Sequence, residues 1–405
     1  MITPFKQRLS LLGLMMAIAW PSIPSVSAAE LSDRTFRTVN RVQELIATER
    51  YDDAKSRLTS ALGANNRDYD RAVLLQQMGF LYSLQDDYKN AARYFADSLA
   101  VNALPITVAQ QVRYSLAQLY LAEAQYSDSV KTMQQWFAVA KANDEQPEAH
   151  AYIVLANAYV HMEDYRNAIG PATQAIKLSE NPSESWYLLL MASHYELKQF
   201  KQVADVLQIL TDKYPQNKRY WMQLSGTYME LNQERQALAA LEMAYTMGLL
   251  DEEREYIRLV NFLAYLNVPY RAAQVLSQEM DNGNIKQDAE NLERLANFWQ
   301  QAKELDKSIQ AYQQVYALEP KAETQVRIAR LMLQNQSYPQ VIQFVSTPAP
   351  EASRDQRAEL AYLQGLAHFE LQDFNQALAA MKNAAQSQRV EAMVSPWLAY
   401  LQSQG

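Results

Sequence analysis

Small or β-branched residues recur along this chain at a step of about 36 residues, and the apolar pattern repeats with them. An aromatic or large residue usually lies three positions before each of them, as Tyr51, Tyr88 and Tyr126 show. This pattern predicts ten pairs of helices, with the small residue near the start of the second helix of each pair. The ten positions are Ala54, Ala91, Ser129, Ala168, Val203, Ala237, Ala273, Ser308, Val341 and Ala377.

The composition favours helix throughout. Glycine is scarce (9 of 405 residues), no run of alternating β-branched residues suggests a sheet, and Ala, Leu, Gln and Glu dominate. Most prolines lie between the units or, like Pro269 and Pro339, where a second helix should begin. Pro171 lies about two turns into a second helix, directly after Gly170, so we expect a kink or break there.

The repeated residues resemble the tetratricopeptide repeat (TPR). That pattern has an aromatic residue, Leu three later, a small residue, Tyr three further on, and then Ala in the second helix. The clearest copy in this chain is Trp221, Leu224, Ser225, Tyr228 and Ala237. The resemblance covers roughly residues 34–388, and it implies an all-α fold, a right-handed α-solenoid of about ten helix pairs.

In domain terms we expect a repeat array over residues 31–388 and a C-terminal capping helix and tail over 389–405. The helix should run from Val390 to Leu401 and cover the end of the stack. Units one, seven and nine are poor copies, and unit one could be a helical cap. The polar stretches Val139–Glu148 and Ser346–Ser353 could be hinges, but ordinary surface connections are favoured.

Residues 1–28 have the anatomy of a cleaved secretory signal. Lys6 and Arg8 form the positive start, Leu9–Trp20 is apolar, and small residues offer cleavage after Ala28, or after Ala29 just beyond. Twelve apolar residues are too few to span a bilayer. The chain has no cysteine, so it has neither a disulfide nor a lipid-attachment cysteine. We expect an exported, soluble, periplasmic protein.

Charge narrows the range of partners. The whole chain has a formal net charge of −8, which becomes −10 without the two leader bases. Nucleic acid and anionic membranes both need a basic face, so neither is an expected partner. No apolar run after the leader is long enough to cross a membrane.

We find no residues that support catalysis, a cofactor or a metal site. The four histidines have no helical ligand spacing, and two of them, His194 and His368, stand where other units have Tyr. The run Asp281–Asn284 has its glycine at the third position instead of the sixth of a calcium loop, so it is better interpreted as a helix stop. The sequence therefore predicts a protein that is not an enzyme.

In TPR proteins the first helices line the concave face, where peptide ligands commonly lie. By register, Gln76, Ile153 and Glu293 fall on this face, and Tyr195 and Tyr265 extend it. A mixture of aromatic, amide and arginine side chains suits a protein segment. The candidate binding residues are Phe80, Tyr114, Gln118, Asn157, Arg219, Met222, Arg258, Phe262, Asn297 and Arg330.

Two alternatives stay open: carbohydrate binding along the same face, as in polysaccharide export or envelope assembly, and an enzyme on an irregular insert, which is disfavoured because no insert exceeds a dozen residues. The segments WMQLSGTYMELNQERQALAALEMAY and LVNFLAYLNVPYRAAQVL also resemble periplasmic TPR proteins that accompany TonB–ExbB–ExbD systems of gammaproteobacteria. That resemblance implies a scaffold in TonB-dependent outer-membrane uptake. Its partner would be the transducer or an associated inner-membrane component.

Overall fold

A computed structural model describes residues 31–64 and 66–403. The leader-like segment 1–28 lies outside the described residues. The described chain forms twenty-one helices and no strand. It divides into two compact units, one ending at Val206 and one beginning at Leu207, so that the boundary falls inside helix α10.

The helices of the first unit pack as consecutive pairs from α1 with α2 to α7 with α8. They are α1 (Asp33–Ala47), α2 (Tyr51–Leu62), α3 (Asp68–Leu84), α4 (Tyr88–Ala100), α5 (Ile106–Ala122), α6 (Tyr126–Ala142), α7 (Ala149–His161), α8 (Tyr165–Leu178), α9 (Glu184–Glu196) and the start of α10 (Phe200–Lys213).

The second unit continues the same pairing from α11 to α20 and ends with one more helix. Its helices after α10 are α11 (Lys218–Glu230), α12 (Glu234–Thr246), α13 (Glu253–Tyr265), α14 (Pro269–Asp281), α15 (Ala289–Gln301), α16 (Leu305–Leu318), α17 (Ala322–Gln334), α18 (Tyr338–Val345), α19 (Arg354–Glu370), α20 (Phe374–Ala384) and α21 (Gln388–Ser403). The expected all-α array of about ten helix pairs is confirmed.

The turn inside each pair has one backbone design. In all ten pairs the residue two positions before the second helix is left-handed, with φ between 55° and 63°, although none of these residues is glycine. The next residue donates its N–H to the carbonyl five residues earlier, at 2.7–3.0 Å. Gln125, for example, donates to Tyr120. This geometry is a Schellman end, which satisfies carbonyls left free at the end of the first helix.

The ten small or β-branched residues that set the step are all at most 2% exposed. They lie where the two helices of a pair cross, and there a larger side chain would push the helices apart. Ser129 and Ser308 use the same close approach to donate hydrogen bonds to the carbonyls of Ala117 (2.8 Å) and Ala296 (2.9 Å). The spacing of the sequence therefore reports a real packing constraint.

Helix α8 runs unbroken from Tyr165 to Leu178 with Pro171 inside, so of the kink or break expected there the break does not occur. The proline cannot donate a backbone hydrogen bond, and this costs stability in an isolated helix. Ala168, Ala172 and Ala175 are fully buried against the neighbouring helices α7 and α9. Tertiary packing of this face outweighs the missing bond.

The weak units are complete helix pairs. Unit one is α1 with α2, which has the common turn at Glu49 and a fully buried Ala54, so it is more than a capping helix. Unit seven is α13 with α14, and unit nine is α17 with the short α18 of eight residues. The ninth departs most, since α17 also packs directly against α19.

The segment from Ser346 to Ser353 is not a simple surface connection. Ala349 and Ala352 are buried, at 1% and 7% exposure. The buried Gln325 of α17 holds the segment, since it accepts the N–H of Ala349 (2.8 Å) and donates to the carbonyls of Thr347 (2.9 Å) and Phe344 (3.2 Å). The segment is therefore a packed turn, although its sequence is largely polar.

Helix α21 packs against α19 and α20, the last helix pair of the second unit. Val390, Val394 and Leu401 are buried against α19 and α20, and Trp397 packs edge-on to Phe369 with ring centroids 4.9 Å apart. Among the described residues, no helix combines the length and apolar character needed to cross a bilayer.

Candidate functional site

The ten predicted binding residues all lie on first helices, but the structure does not collect them into one site. In the first unit Phe80, Tyr114, Gln118 and Asn157 are half-buried. Phe80 stands edge-on to Phe95 with ring centroids 5.1 Å apart, so much of its surface contributes to the core. Tyr114 is the member of this group that lines a cavity.

This cavity, which we call the α5–α7 cavity, has a volume of about 330 Å³. It lies between the first half of α5, the start of α7 and Trp136 of α6, under the connection that joins α6 to α7. Its lining residues are Thr107, Gln110, Gln111, Tyr114, Trp136, Glu145, Gln146, Glu148, His150 and Ala151.

Buried amide and aromatic groups form the wall of the α5–α7 cavity. Gln110 is 5% exposed, and it donates to the carbonyl of Trp136 (2.8 Å) while accepting from Arg113 (2.6 Å). The rings of Tyr114 and Trp136 have centroids 6.2 Å apart at 51°. Burial raises the pKa of Tyr114 to about 12, and the negative charge of Glu148 adds to the shift. Tyr114 is therefore a neutral hydrogen-bonding group at ordinary pH.

In the second unit, α13 carries three of the expected side chains on one strip. Arg258, Phe262 and Tyr265 are spaced by four and three residues, so they lie on the same helix face. The rings of Phe262 and Tyr265 have centroids 6.4 Å apart. Arg258 is exposed, and Tyr265 is 66% exposed with its hydroxyl donating to Glu234 (2.7 Å). We call these three residues the α13 strip.

The other predicted residues of the second unit have structural partners. Met222 packs partly buried against the main core, and Asn297 accepts the hydroxyl of Tyr312 (2.6 Å). Arg330 forms an ion pair with Glu359. Arg219 is exposed near the start of α11. These contacts make them weaker anchors for a ligand than the α13 strip.

Two residues that the register placed on the binding face are buried instead. Gln76 is 4% exposed and Ile153 is 9% exposed, and so they contribute to packing. Tyr195, at 37%, and Tyr265 are exposed as the register predicts. Register gives the angle of a side chain around its helix, but the neighbouring pair decides how deeply it is covered.

Sequence reasoning missed a cavity of the second unit, about 780 Å³, which lies along α14, α15 and α16. Six of its sixteen lining residues are glutamine or asparagine. The signal was available in the spacing of Gln274 with Gln278 and of Gln310 with Gln314, because exposed residues four apart share one helix face. At one side Lys307 lies over the ring of Trp299, 4.5 Å from its centroid.

The acidic and histidine side chains have structural roles. Asp251, Glu252 and Glu255 bring their carboxylates within 4.8 Å of one another. Lys218 lies 2.6 Å from Asp251 and 3.1 Å from Glu255, so the group is already neutralised in part. His194 is buried and contacts Gln199 (2.6 Å) through Nδ1.

Two further histidines, His161 and His368, also contact neighbouring side chains. His161 stacks on Tyr126 with ring centroids 4.8 Å apart, and burial lowers its pKa. His368 is half-buried, with Nδ1 3.5 Å from a carboxylate oxygen of Asp373. These contacts fit the interpretation of His194 and His368 as packing residues with a polar tip.

Comparison with known proteins gives structural likeness alone. No protein-family model matches the chain, and no curated protein matches it either. Among solved structures, the chain is similar to YrrB, described as a TPR protein with an unusual peptide-binding site, at 15% identity over 46% of this chain and 90% of that one, with a TM-score of 0.37. It is also similar to a tetratricopeptide repeat protein from Parabacteroides merdae, at 11% identity over 75% of this chain and 100% of that one, with a TM-score of 0.38.

A third similar structure is the Cut9–Hcn1 hetero-tetramer of the APC/C, at 13% identity over 89% of this chain and 88% of that one, with a TM-score of 0.28. At such low identities and scores, the function has to be argued from the residues of this chain itself.

Proposed function

We propose that this chain is a non-catalytic scaffold that binds a protein segment along the first helices of its repeats. The observation that carries the proposal is the α13 strip. It exposes an arginine, a phenylalanine edge and a tyrosine on one face, while Leu259 and Leu263 of the same helix are buried in the core. Tyr and Arg are the residues that most often anchor protein interfaces.

The arrangement of the aromatic side chains favours a protein ligand over a carbohydrate. Sugars stack on open ring faces, and tryptophan is the best platform for them. Among the described residues no tryptophan is exposed: Trp186 and Trp299 are buried, and Trp136, Trp221 and Trp397 are half-buried. Edge-on contacts, such as that of Tyr270 with Trp299, also close ring faces.

The finer part of the proposal concerns location and partner. The leader-like residues 1–28 support export to the periplasm. The resemblance of two segments to TPR proteins beside TonB–ExbB–ExbD systems supports a partner in such an energy-transduction complex. Envelope assembly or polysaccharide export is the alternative setting for the same kind of scaffold.

Site-specific photo-crosslinking in cells tests the proposal. A photoreactive residue at Arg258 or at Tyr265 should capture a protein, and one at the exposed Gln236 on second helix α12 is the matched control. Stronger capture from the α13 strip than from Gln236 supports the scaffold. Capture of glycan alone, or equal capture from Gln236, contradicts it. The identity of the captured protein then decides between a TonB-type complex and envelope assembly.

A further inference from the structure

We propose that the α5–α7 cavity receives an arginine or lysine side chain of a protein that binds the first unit. The inference rests on the proposed function in one respect, namely that the occupant belongs to a protein. The cavity combines two aromatic rings with two carboxylates at its rim, Glu145 and Glu148, and all of these lie within the first unit. That combination is selective for a cation.

The aromatic wall supplies the first half of this selectivity. Tyr114 and Trp136 are half-buried, and both line the cavity. Phe137 meets Trp136 edge-on at 5.2 Å and fixes the orientation of the indole. A guanidinium or ammonium group within about 6 Å of such ring centroids is attracted by the negative ring faces.

The carboxylates supply the second half. Glu145 and Glu148 are exposed, and within the described part of the chain their side chains make no hydrogen bond or ion pair. Glu148 occupies the N-cap position of α7 and yet makes no capping bond with its side chain. Its charge therefore remains available to a ligand.

The connection between α6 and α7 holds these carboxylates in place through its backbone. Asp144 is left-handed, with φ of 54°, and Glu145 donates its N–H to the carbonyl of Ala140 (2.9 Å). This is the same hydrogen-bonding pattern that ends the first helix of every pair. The connection is therefore a defined turn that projects two glutamates at the cavity.

The other charged and polar groups nearby leave room for a cation. Arg113 also lies on α5, but its guanidinium is hydrogen-bonded to Gln110 and is not part of the lining. His150 meets Trp186 edge-on at 5.3 Å. A volume of about 330 Å³ is at the small end of the range for ligand pockets, and it fits one long side chain better than a folded element.

The test uses short, otherwise neutral peptides that carry one arginine, one lysine or one citrulline, which has the shape of arginine without its charge. The full chain is labelled with ¹⁵N at the tryptophan indoles, and the Trp136 signal is assigned with Trp136→Phe. The arginine and lysine peptides should shift this signal and bind about fivefold or more tightly than the citrulline peptide. Equal binding of the citrulline peptide overturns the inference.

A charge-neutral variant tests the carboxylates directly. Glu145→Gln with Glu148→Gln should lower the affinity for the arginine peptide about threefold and reduce the preference over citrulline to the part that the aromatic rings supply. Glu123→Gln, at an exposed glutamate just after α5 and outside the lining, is the matched control and should leave both unchanged. An unchanged preference in the double variant overturns the inference.

Failure of this inference can be told apart from failure of the proposed function. Suppose that photoreactive residues at Arg258 and Tyr265 capture a protein, while the Trp136 signal responds equally to the arginine and citrulline peptides. The proposed scaffold function is then supported and the cation pocket is contradicted. If those two positions capture no protein, the proposed function fails. A charge-dependent shift at Trp136 would still support a pocket for a basic side chain.

Discussion

Two connections between helix pairs use their polar residues in opposite ways. In the connection from α14 to α15 they bond to protein groups: Asn284 and Asn282 donate to the buried carboxylate of Glu279 at 2.7 and 3.4 Å, and Asp288 caps α15 by accepting the N–H of Asn291 (2.9 Å). In the connection from α6 to α7 the side chains of Glu145 and Glu148 are exposed and make no hydrogen bonds to other described residues.

This difference between the two connections distinguishes polar side chains that stabilise the fold from polar side chains that are free to bind a ligand. The turns inside the pairs are alike in all ten, because one backbone geometry joins a first helix to a second. The connections between pairs vary, so they are where the array can acquire chemistry of its own. A polar connection whose groups bond one another stabilises the stack, whereas one whose groups face solvent can bind a partner.

The largest expected effect is at Glu279, which is 3% exposed. Its carboxylate accepts from the hydroxyl of Tyr245 (2.8 Å) as well as from the two asparagines. Glu279→Ala removes a buried carboxylate that accepts hydrogen bonds from three side chains, so we expect the second unit to lose about 1.5–3 kcal/mol of unfolding free energy, the range for hydrogen bonds to a charged group. Urea unfolding followed by circular dichroism measures the loss.

Glu290→Ala is the control for that measurement, because this glutamate is exposed on the neighbouring helix α15 and forms only a surface pair with Arg294 (3.0 Å). It should cost less than about 0.5 kcal/mol. An equally small loss for Glu279→Ala would show that the hydrogen bonds of the connection from α14 to α15 do not stabilise the unit.

Gln325 offers the same test at the connection from α18 to α19. It is 1% exposed and makes three hydrogen bonds to the segment around Ala349. Gln325→Ala should cost about 2 kcal/mol, since a buried N–H and two carbonyls lose their partner. Gln334→Ala, at the exposed end of the same helix, should be nearly neutral. Faster hydrogen exchange at Ala349 in Gln325→Ala would confirm the cause, and unchanged exchange would contradict it.

The two N-cap residues allow a direct comparison of the connections. Asp288→Ala removes a capping hydrogen bond and should cost about 1 kcal/mol. Glu148→Ala removes a side chain that caps nothing, so its cost should stay within about 0.5 kcal/mol. Thermal unfolding of both variants checks the pair. Similar losses would mean that Glu148 has a structural role, and would weaken its assignment to a ligand.

The repeat itself was predictable from the sequence, since a small residue is required wherever two helices cross closely. That constraint located all ten second helices, including those of the weak units, where Val42, Asn261 and Met332 depart from the pattern. The break expected at Pro171 does not occur, because the burial of Ala168 and Ala172 stabilises the helix around the proline. Local propensity is a weaker force than burial of a helix face.

The candidate site was less predictable, and the reason is geometric. The register identified Tyr114 and the α13 strip, but it also selected Ile153, which the next pair covers. It omitted Glu145 and Glu148 because they lie in a connection, where no helical period applies. Contacts between pairs, and not the period within a helix, decide which polar groups remain available.

The smallest expected effect tests the field inside the α5–α7 cavity. Burial and the charge of Glu148 both raise the pKa of Tyr114, to about 12, so the stability that its neutral phenol contributes is present below pH 10 and is lost as the pH rises through 12. Glu148→Gln removes a negative charge and should lower this pKa by a few tenths of a unit, about the effect of one partly screened charge. Titration of the Tyr114 ring carbon by ¹³C NMR measures the shift, with Glu123→Gln as the control. A bound cation would stabilise the phenolate, so the arginine peptide should also lower the pKa of Tyr114. A pKa that responds neither to Glu148→Gln nor to the peptide would place the carboxylate too far from the ring to share a ligand with it.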